Sequence, residues 1–409
     1  MYYYQDRGRR AASPLPDLPL PPAEAGLPAL FLTSGDPARG RTVWRPTAHH
    51  HLTTPASVAW LDRNTEEEAE LPEPVLSALN DGTLTAVNVC HPRWEAALER
   101  LAPKTGKKRV HLLAVGDVGG TLLTALKLLG GDCISTIGIC DLNEMAVERW
   151  TAEMGQIAWP WDYGALPEVA PVTADRLFAC DVFLFAATKS IPPVGSTVTD
   201  VRMAQFAANR PLVESFARQA RDAHFQGLFI VLSDPVDPLC RAAFLASNTG
   251  PDGQWDGNGL FAEQVQGFGL GVMNARAAYF AKQDPRFAAF LTEGRSFGPH
   301  GHGLVIANSV EHYDDELSQE LTHQVETANL RIRDLGFKPY VAPAVSSGAM
   351  QLLLTLRGQW RCASMCLGDV WFGARSRLTE RGGEVECLPL PPALRARLEE
   401  TETLLKATV

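Results

Sequence analysis

The sequence predicts an α/β protein in which a doubly wound parallel sheet is followed by an α+β region. Short apolar runs of strand length alternate with amphipathic helical patterns from Arg109 to about Cys240, which is typical of a parallel sheet covered by helices on both faces. After Cys240 the helical and strand-like patterns no longer alternate regularly. The length of 409 residues leaves room for two domains and an additional N-terminal zone.

The alternating region predicts four strands and three helices. They are, in order, the strand Val110–Val115, the helix Gly119–Leu129, the strand Ile134–Cys140, the helix Asn143–Met154, the strand Cys180–Ala187, the helix Arg202–Ala223 and the strand Gly227–Ser233. The later region predicts helices at Ala275–Lys282, Asp314–Leu335, Ser347–Leu356 and from Pro392, with strands at Trp360–Leu367 and Trp371–Arg377. We therefore divide the chain into an extension at 1–107 and two domains at 108–242 and 243–409.

The N-terminal extension differs in composition from the rest of the chain. Residues 14–28 are rich in proline and leucine without a helical period, which favours an extended or wrapping arm. A helix is predicted near Arg93–Leu101, and the region could form a small accessory layer. The triplet His49–His51 is interpreted as a solvated turn, because three consecutive side chains do not easily converge on one metal ion.

Charge and cysteine content exclude several function classes. With 37 basic and 47 acidic side chains the net charge is −10, so neither nucleic acid nor an anionic membrane is an expected partner. The apolar stretches are too short to span a bilayer, and the N-terminus lacks the apolar core of a secretory signal. The eight scattered cysteines favour buried free thiols in a reducing compartment, and no metal is predicted. We expect a cytoplasmic protein that acts on small molecules.

A glycine-rich turn follows the first strand of the alternating region. The run from Ala114 to Gly119 matches the dinucleotide pattern Gly-x-Gly-x-x-Gly at its second and third glycines, Gly116 and Gly119. Ala114 replaces the first glycine, which is tolerable if that residue keeps a negative φ. Asp141, after the second strand, is placed to accept hydrogen bonds from ribose hydroxyls, which favours NAD over NADP. A purely structural turn with an aspartate helix cap remains the alternative.

Two downstream motifs resemble the active-site signature of the lactate/malate dehydrogenase family. The run Gly267-Phe-Gly-Leu-Gly-Val-Met-Asn-Ala-Arg276 is similar to the family's Gly-x-Gly-x-x-Leu-Asp-x-Ala-Arg, and Gly298-Pro-His300-Gly301 to its Gly-x-His-Gly. The resemblance spans roughly residues 109–407. It implies a Rossmann-type NAD-binding domain at 108–242, a catalytic substrate domain at 243–409, and NAD-dependent interconversion of a 2-hydroxy acid and a 2-oxo acid. A homodimer or homotetramer is implied in the same way.

The resemblance also implies roles for individual side chains. Arg276 would clamp the substrate carboxylate, and His300 would be the general acid and base. Arg202, seven positions before Asn209, is similar to the lid arginine that polarises the substrate carbonyl; a helix-surface arginine is the alternative. The implied cofactor-binding residues are Gly116, Asp117, Val118, Gly119, Asp141, Ala187, Asn209 and Ser233.

The chain departs from the family pattern at several positions. Met273 replaces the aspartate that holds the catalytic histidine, and Asp234 replaces the asparagine of Asn-Pro-Val-Asp. We hypothesise that Asp234 supplies the missing carboxylate beside His300. The lid at 188–201 is longer than usual, which hides the position that selects lactate or malate, and Val341 stands where a pocket threonine is usual. Three functions stay open: an active dehydrogenase, a degenerate NAD-binding sensor or partner subunit, and a reductase of a different carbonyl or imine.

Overall fold

The structure, a computed structural model, describes residues 1–65, 70–101, 106–189 and 201–408, without the side chains of residues 201 and 202. Within these ranges it has 16 strands: β1 Tyr2–Asp6, β2 Arg9–Ser13, β3 Leu30–Thr33, β4 Val43–Trp44, β5 Thr85–Asn88, β6 Lys108–Leu113, β7 Ile134–Cys140, β8 Glu168–Pro171, β9 Val182–Phe185, β10 Leu228–Val231, β11 Val265–Gly267, β12 Arg295–Phe297, β13 Val305–Ala307, β14 Arg361–Leu367, β15 Val370–Thr379 and β16 Gly382–Val385.

Twelve α-helices lie in the same ranges: α1 His50–Thr53, α2 Glu73–Asn80, α3 Trp94–Glu99, α4 Asp117–Leu129, α5 Glu144–Gly155, α6 Val201–Asp222, α7 Val236–Ser247, α8 Leu270–Ala281, α9 Phe290–Glu293, α10 Asp315–Asp334, α11 Met350–Leu356 and α12 Pro392–Lys406. A π-helical segment at Pro343–Ala349 precedes α11. None of these helices combines the length and the apolar character needed to cross a membrane.

Fourteen strands form one mixed sheet in the order β1-β2-β3-β5-β4-β16-β15-β14-β11-β10-β9-β6-β7-β8. The strands from β11 to β8 run parallel, and β9 is buried along its whole length, as expected for a sheet covered on both faces. After β8 the chain returns to the other side of β6 to form β9, so the strand order reverses between β6 and β9. Such a reversal opens a crevice at the carboxyl ends of the strands. The predicted fold class is confirmed.

The C-terminal half adds an antiparallel layer and the helices α8 to α12. Strand β14 pairs antiparallel with β11, and β15 and β16 continue the layer. Strands β12 and β13 form a separate antiparallel pair, and the loop that joins them carries His300. Helix α8 begins at Leu270, five residues before the predicted start, although two glycines flank that point. Gly271 is needed for close packing, since a Cβ there would lie 2.4 Å from the carbonyl oxygen of Ser346.

The N-terminal extension continues the central sheet. Strands β1 to β5 add to it through β4, which pairs with β16 at Trp44 and Gly383. Residues 14–28 contain no strand or helix element and lie along β1, where the Tyr4 hydroxyl donates to the carbonyl of Leu15 and Ala23 N–H donates to the carbonyl of Tyr3. The division into units at 107 and 242 stays a prediction. Paired strands join the two sides of each boundary, since β4 pairs with β16 and β10 pairs with β11.

The solvated turn predicted for His49–His51 is wrong. All three side chains are buried, and His51 stacks on Trp60. Burial lowers the pKa of His51 to about 3. The donor atoms of His50, His51 and Cys387 lie within 4.8 Å of one another. Both ring nitrogens of His51 already have backbone partners, however, because Thr47 N–H lies 3.2 Å from Nδ1 and the Trp60 carbonyl lies 2.7 Å from Nε2. The group is therefore a hydrogen-bonded core element.

The cysteines largely follow expectation. All eight are free thiols, and four of them, Cys180, Cys240, Cys366 and Cys387, are buried. Burial raises the pKa of Cys180 and Cys366 to about 12, so these thiols are protonated at neutral pH.

Candidate active site

A cavity of about 1540 Å³ opens at the carboxyl ends of β6, β7 and β9, where the strand order reverses. Its walls come from the turn before α4, from α5 and from α6. Six of the eight predicted cofactor-binding residues line it: Gly116, Asp117, Val118, Gly119, Asp141 and Ala187. The other two, Asn209 and Ser233, lie buried beside it. One crevice therefore collects the nucleotide-site residues that the sequence predicts.

The turn between β6 and α4 is tighter than the sequence suggests. Ala114 has a φ of +74°, so the expectation of a negative φ is wrong. A Cβ on Gly119 would lie 2.0 Å from the carbonyl oxygen of Ala114, which leaves no room for a side chain there. A Cβ on Gly116 would meet no atom within 4 Å, so the space in front of the helix is open for a ligand. The turn keeps the left-handed conformation because the helix must approach the strand this closely.

Ala114→Gly is expected to stabilise the fold. The left-handed conformation costs an alanine about 1–2 kcal/mol, and the extra freedom of glycine in the unfolded chain offsets roughly half of that gain. The free energy of unfolding, from urea titration, should therefore rise by about 0.5–1 kcal/mol. Ala125→Gly, within α4, is the matched control and should lower it by about 1 kcal/mol. If the free energy of unfolding fell by the same amount in both variants, this explanation would be contradicted.

Asp141 holds the turn between β6 and α4 in place. Its Oδ2 accepts a hydrogen bond of 2.8 Å from Val115 N–H, and its Oδ1 accepts one of 2.9 Å from Asn143 N–H. The helix cap itself is Asn143, whose side chain accepts from Ala146 N–H. Because a carboxylate has about four acceptor positions, these two bonds leave capacity for ribose hydroxyls. The structural role and the predicted cofactor role of Asp141 are therefore compatible.

His300 and Asp234 form a direct pair. His300 Nδ1 lies 3.1 Å from Asp234 Oδ1, and the His300 side chain is 19% exposed. Gly269, next to α8, permits this approach, since a Cβ there would lie 2.8 Å from His300 Cβ. No described residue forms a hydrogen bond with His300 Nε2. The carboxylate thus holds one ring nitrogen, and the other has no hydrogen-bond partner among the described residues.

Arg276 lies in the same region as this pair. Its guanidinium donates to the carbonyl of Val325 at 3.3 Å and lies 3.8 Å from Met273 Sδ. Partial burial lowers the pKa of Arg276, and the charge of Asp234 opposes that shift. Within the described part of the chain, Arg276 has no carboxylate in ion-pair contact. Its cation is therefore available to a substrate anion.

The position of the missing aspartate lies in an apolar core. Met273 is 2% exposed and packs in a cluster with Leu270, Leu304, Leu321 and Val325. The Asp234 side chain, in contrast, is 47% exposed. The carboxylate beside the histidine thus comes from the turn after β10 instead of from α8. This turn exposes the carboxylate to solvent.

Asn209 and Ser233 position the elements around the pair. Asn209 Nδ2 donates to the backbone carbonyl of Asp234 at 2.8 Å, and its Oδ1 accepts from Lys189 N–H at 2.9 Å. The Ser233 hydroxyl donates to the carbonyl of Ala187 at 2.7 Å. Both side chains therefore tie the end of β9 to the turn that carries Asp234. Their predicted contact with a cofactor stays a prediction.

Two predicted features fall partly outside the described residues. The side chain of Arg202 is not described, although its backbone lies in the first turn of α6. Residues 190–200 of the predicted lid are also outside the described ranges. Val341, which stands where the family pattern has a pocket threonine, is 56% exposed.

The sequence reading missed a second carboxyl group near His300. Asp237, in the first turn of α7, is 3% exposed, and its Oδ1 accepts a hydrogen bond from the Ser364 hydroxyl. Burial raises the pKa of Asp237 to about 7, although the Ser364 bond and the charge of His300 act in the opposite direction. The sequence signal that could have identified it is its position three residues after Asp234 in the same motif.

Comparison with known proteins gives a consistent result. No family model matches the chain. The chain is similar to an L-lactate dehydrogenase of Corynebacterium jeikeium, at 22% identity over 58% of this chain and 69% of that protein. It is also similar to L-lactate dehydrogenase 2 of Staphylococcus aureus, at 26% identity over 48% of this chain and 56% of that protein. The matched segment is thus about half to two thirds of these relatives' length.

Solved structures of other proteins match this chain over almost their whole length. The minor L-lactate dehydrogenase of Enterococcus mundtii matches with a TM-score of 0.60 at 20% identity, over 74% of this chain and 97% of that one. The lactate dehydrogenase of Cryptosporidium parvum, solved with lactic acid and NAD, matches with a TM-score of 0.58 at 17% identity, over 75% and 98%. The resemblance is thus confirmed: the chain is a divergent relative of the lactate/malate dehydrogenases and shares their fold.

Proposed function

We propose that the protein is an NAD-dependent oxidoreductase that interconverts a 2-hydroxy acid and a 2-oxo acid. The observation that carries this proposal is the His300–Asp234 pair together with Arg276, which lies close enough to be influenced by the charge of Asp234. These residues combine a proton carrier with a cation that has no ion-pair partner among the described residues. The relatives named above are lactate dehydrogenases, which supports the same reaction class. The open space before Gly116 and the carboxylate of Asp141 fit the pyrophosphate and ribose of NAD.

In the proposed reaction the chain's residues bind the acid and move one proton. NAD, when bound, supplies or accepts the hydride. Arg276 binds the substrate carboxylate through its free N–H groups. His300 gives a proton from Nε2 to the carbonyl oxygen during reduction and takes it back during oxidation. Asp234 accepts from Nδ1–H, which sets the tautomer and stabilises the imidazolium. Arg202 is proposed to polarise the carbonyl from α6.

A second candidate function is NAD binding with little or no turnover, as in a sensor or a partner subunit. Met273 favours it, because its apolar surroundings replace the buried carboxylate of the family pattern. A reductase of a different carbonyl or imine is a further alternative that the same assay addresses. Cytoplasmic location and assembly as a homodimer or homotetramer stay predictions.

An NADH oxidation assay separates these functions. The purified protein is expected to oxidise NADH with at least one member of a panel of 2-oxo acids, and a parallel panel of aldehydes, ketones and imines tests the third alternative. NADH binding is measured in the same preparation by fluorescence. Binding without turnover on every compound would overturn the dehydrogenase proposal in favour of the second candidate.

A further inference from the structure

The described side chains that line the nucleotide crevice carry more negative than positive charge. Among the described residues that line it, four are acidic, namely Asp117, Asp141, Glu144 and Glu148, and one, Lys189, is basic. A dinucleotide brings two further negative charges on its pyrophosphate. Like charges in a partly enclosed crevice repel one another more strongly than they do in water. A cation close to the phosphates would therefore strengthen the binding of such an anion.

Asp117 lies at the point where this repulsion would be greatest. It occupies the first turn of α4, directly after Gly116, and its side chain is 52% exposed. The N-terminus of this helix attracts anions through its free N–H groups and its dipole. A carboxylate beside it offsets that attraction for an incoming phosphate.

Lys338 is the cation that lies against this carboxylate. Its Nζ is 3.0 Å from Asp117 Oδ2, although the two residues are 221 positions apart in the chain. Lys338 lies between α10 and the π-helical segment, in the C-terminal half. Its side chain is 80% exposed, so it is free to reorient. Exposed ion pairs add little to fold stability, so the importance of this pair lies in the position of Asp117, which lines the crevice.

We propose that Lys338 is a cofactor-binding residue that neutralises the pyrophosphate and bridges it to Asp117. The inference rests on the proposed use of a dinucleotide. Lys338 thereby closes the phosphate side of the crevice from the half of the chain that also carries Arg276 and His300. A unit charge about 6 Å from a phosphate, at the screening of a partly exposed site, changes affinity roughly tenfold.

NADH titration of charge variants at low ionic strength tests this inference. Lys338→Met is expected to raise the Kd for NADH about tenfold, and Lys338→Arg should restore it to within about twofold of the wild type. Asp117→Asn is expected to lower the Kd several-fold, because it removes the repulsion. Lys406→Met is the control, since Lys406 is a partly exposed lysine that forms an ion pair with Glu402 on α12, outside the residues that line the crevice. It should leave the Kd unchanged.

Competition with adenosine isolates the phosphate contribution. Adenosine has no phosphate, so its affinity should be the same in the wild type and in Lys338→Met. An NADH Kd for Lys338→Met within twofold of the wild type would overturn the inference while the proposed function stands. An equal loss of adenosine affinity would also overturn it, because the lysine would then shape the crevice as a whole. A wild-type protein that binds no NADH would overturn the proposed function and this inference with it.

Discussion

His300→Ala is expected to lower kcat/KM for reduction of the active 2-oxo acid by about 10²–10⁴-fold, which is the usual contribution of a positioned acid and base. The Kd for NADH should change by less than about threefold, because His300 lies outside the residues that line the crevice. Steady-state NADH oxidation and fluorescence titration measure the two quantities. His302→Ala is the matched control, since His302 is an exposed neighbour in the same loop.

Asp234→Asn separates the charge of this carboxylate from its position. Asparagine can keep the contact with His300 Nδ1 but cannot stabilise the imidazolium by charge, so kcat/KM in the NADH oxidation assay should fall well below the wild-type value. An unchanged kcat/KM would contradict the hypothesis that Asp234 replaces the aspartate lost at Met273. Full activity in His300→Ala would contradict the whole acid and base assignment.

Asp237→Asn is expected to stabilise the protein above pH 7. The pKa of Asp237 is raised to about 7 in the folded protein, whereas an unfolded aspartate titrates near 3.8. The folded state therefore binds more protons between these values, and the wild type loses stability as the pH rises through this window. The loss is complete above about pH 7 and absent below about pH 4. Asparagine does not titrate, so it avoids a loss of up to about 4 kcal/mol.

Urea titration of both proteins at pH 4.5, 6 and 8 measures this difference. The difference in the free energy of unfolding between Asp237→Asn and the wild type should increase as the pH rises through this series. Asp175→Asn, at an exposed position, should differ little from the wild type at each pH. A pH-independent difference for Asp237→Asn would show that the carboxyl group is ionised throughout.

Local patterns were sufficient for most of the parallel sheet. Buried strands such as β9 are continuous apolar runs, and the helices between them have a clear apolar face, so both are readable without tertiary information. The extension was harder to read, because β4 has only two residues and β1 turns into β2 through Arg7 and Gly8 at positive φ. Neither the sequence of a two-residue strand nor that of a turn specifies which strand a short segment pairs with.

The site was predictable where each residue follows a strand or belongs to a motif. His300 and Arg276 are examples, and the structure places His300 in contact with Asp234. The ion pair of Lys338 with Asp117 could not be predicted, because the two residues are far apart in sequence and a lone lysine carries no pattern. The burial of Asp237 was missed because it depends on Ser364 and on strands that pair only in the folded chain.

The junction between β4 and β16 makes the extension part of the same sheet as the rest of the chain. Arg45, next to β4, forms an ion pair with Glu384 of β16, whose side chain is 1% exposed, and Arg41 donates to the carbonyl of Gly383. A chain that began at residue 108 would leave this carboxylate without one of its cations and would expose the backbone donors and acceptors of the β16 edge. The extension therefore covers an edge of the sheet that would otherwise be open to pairing with another strand.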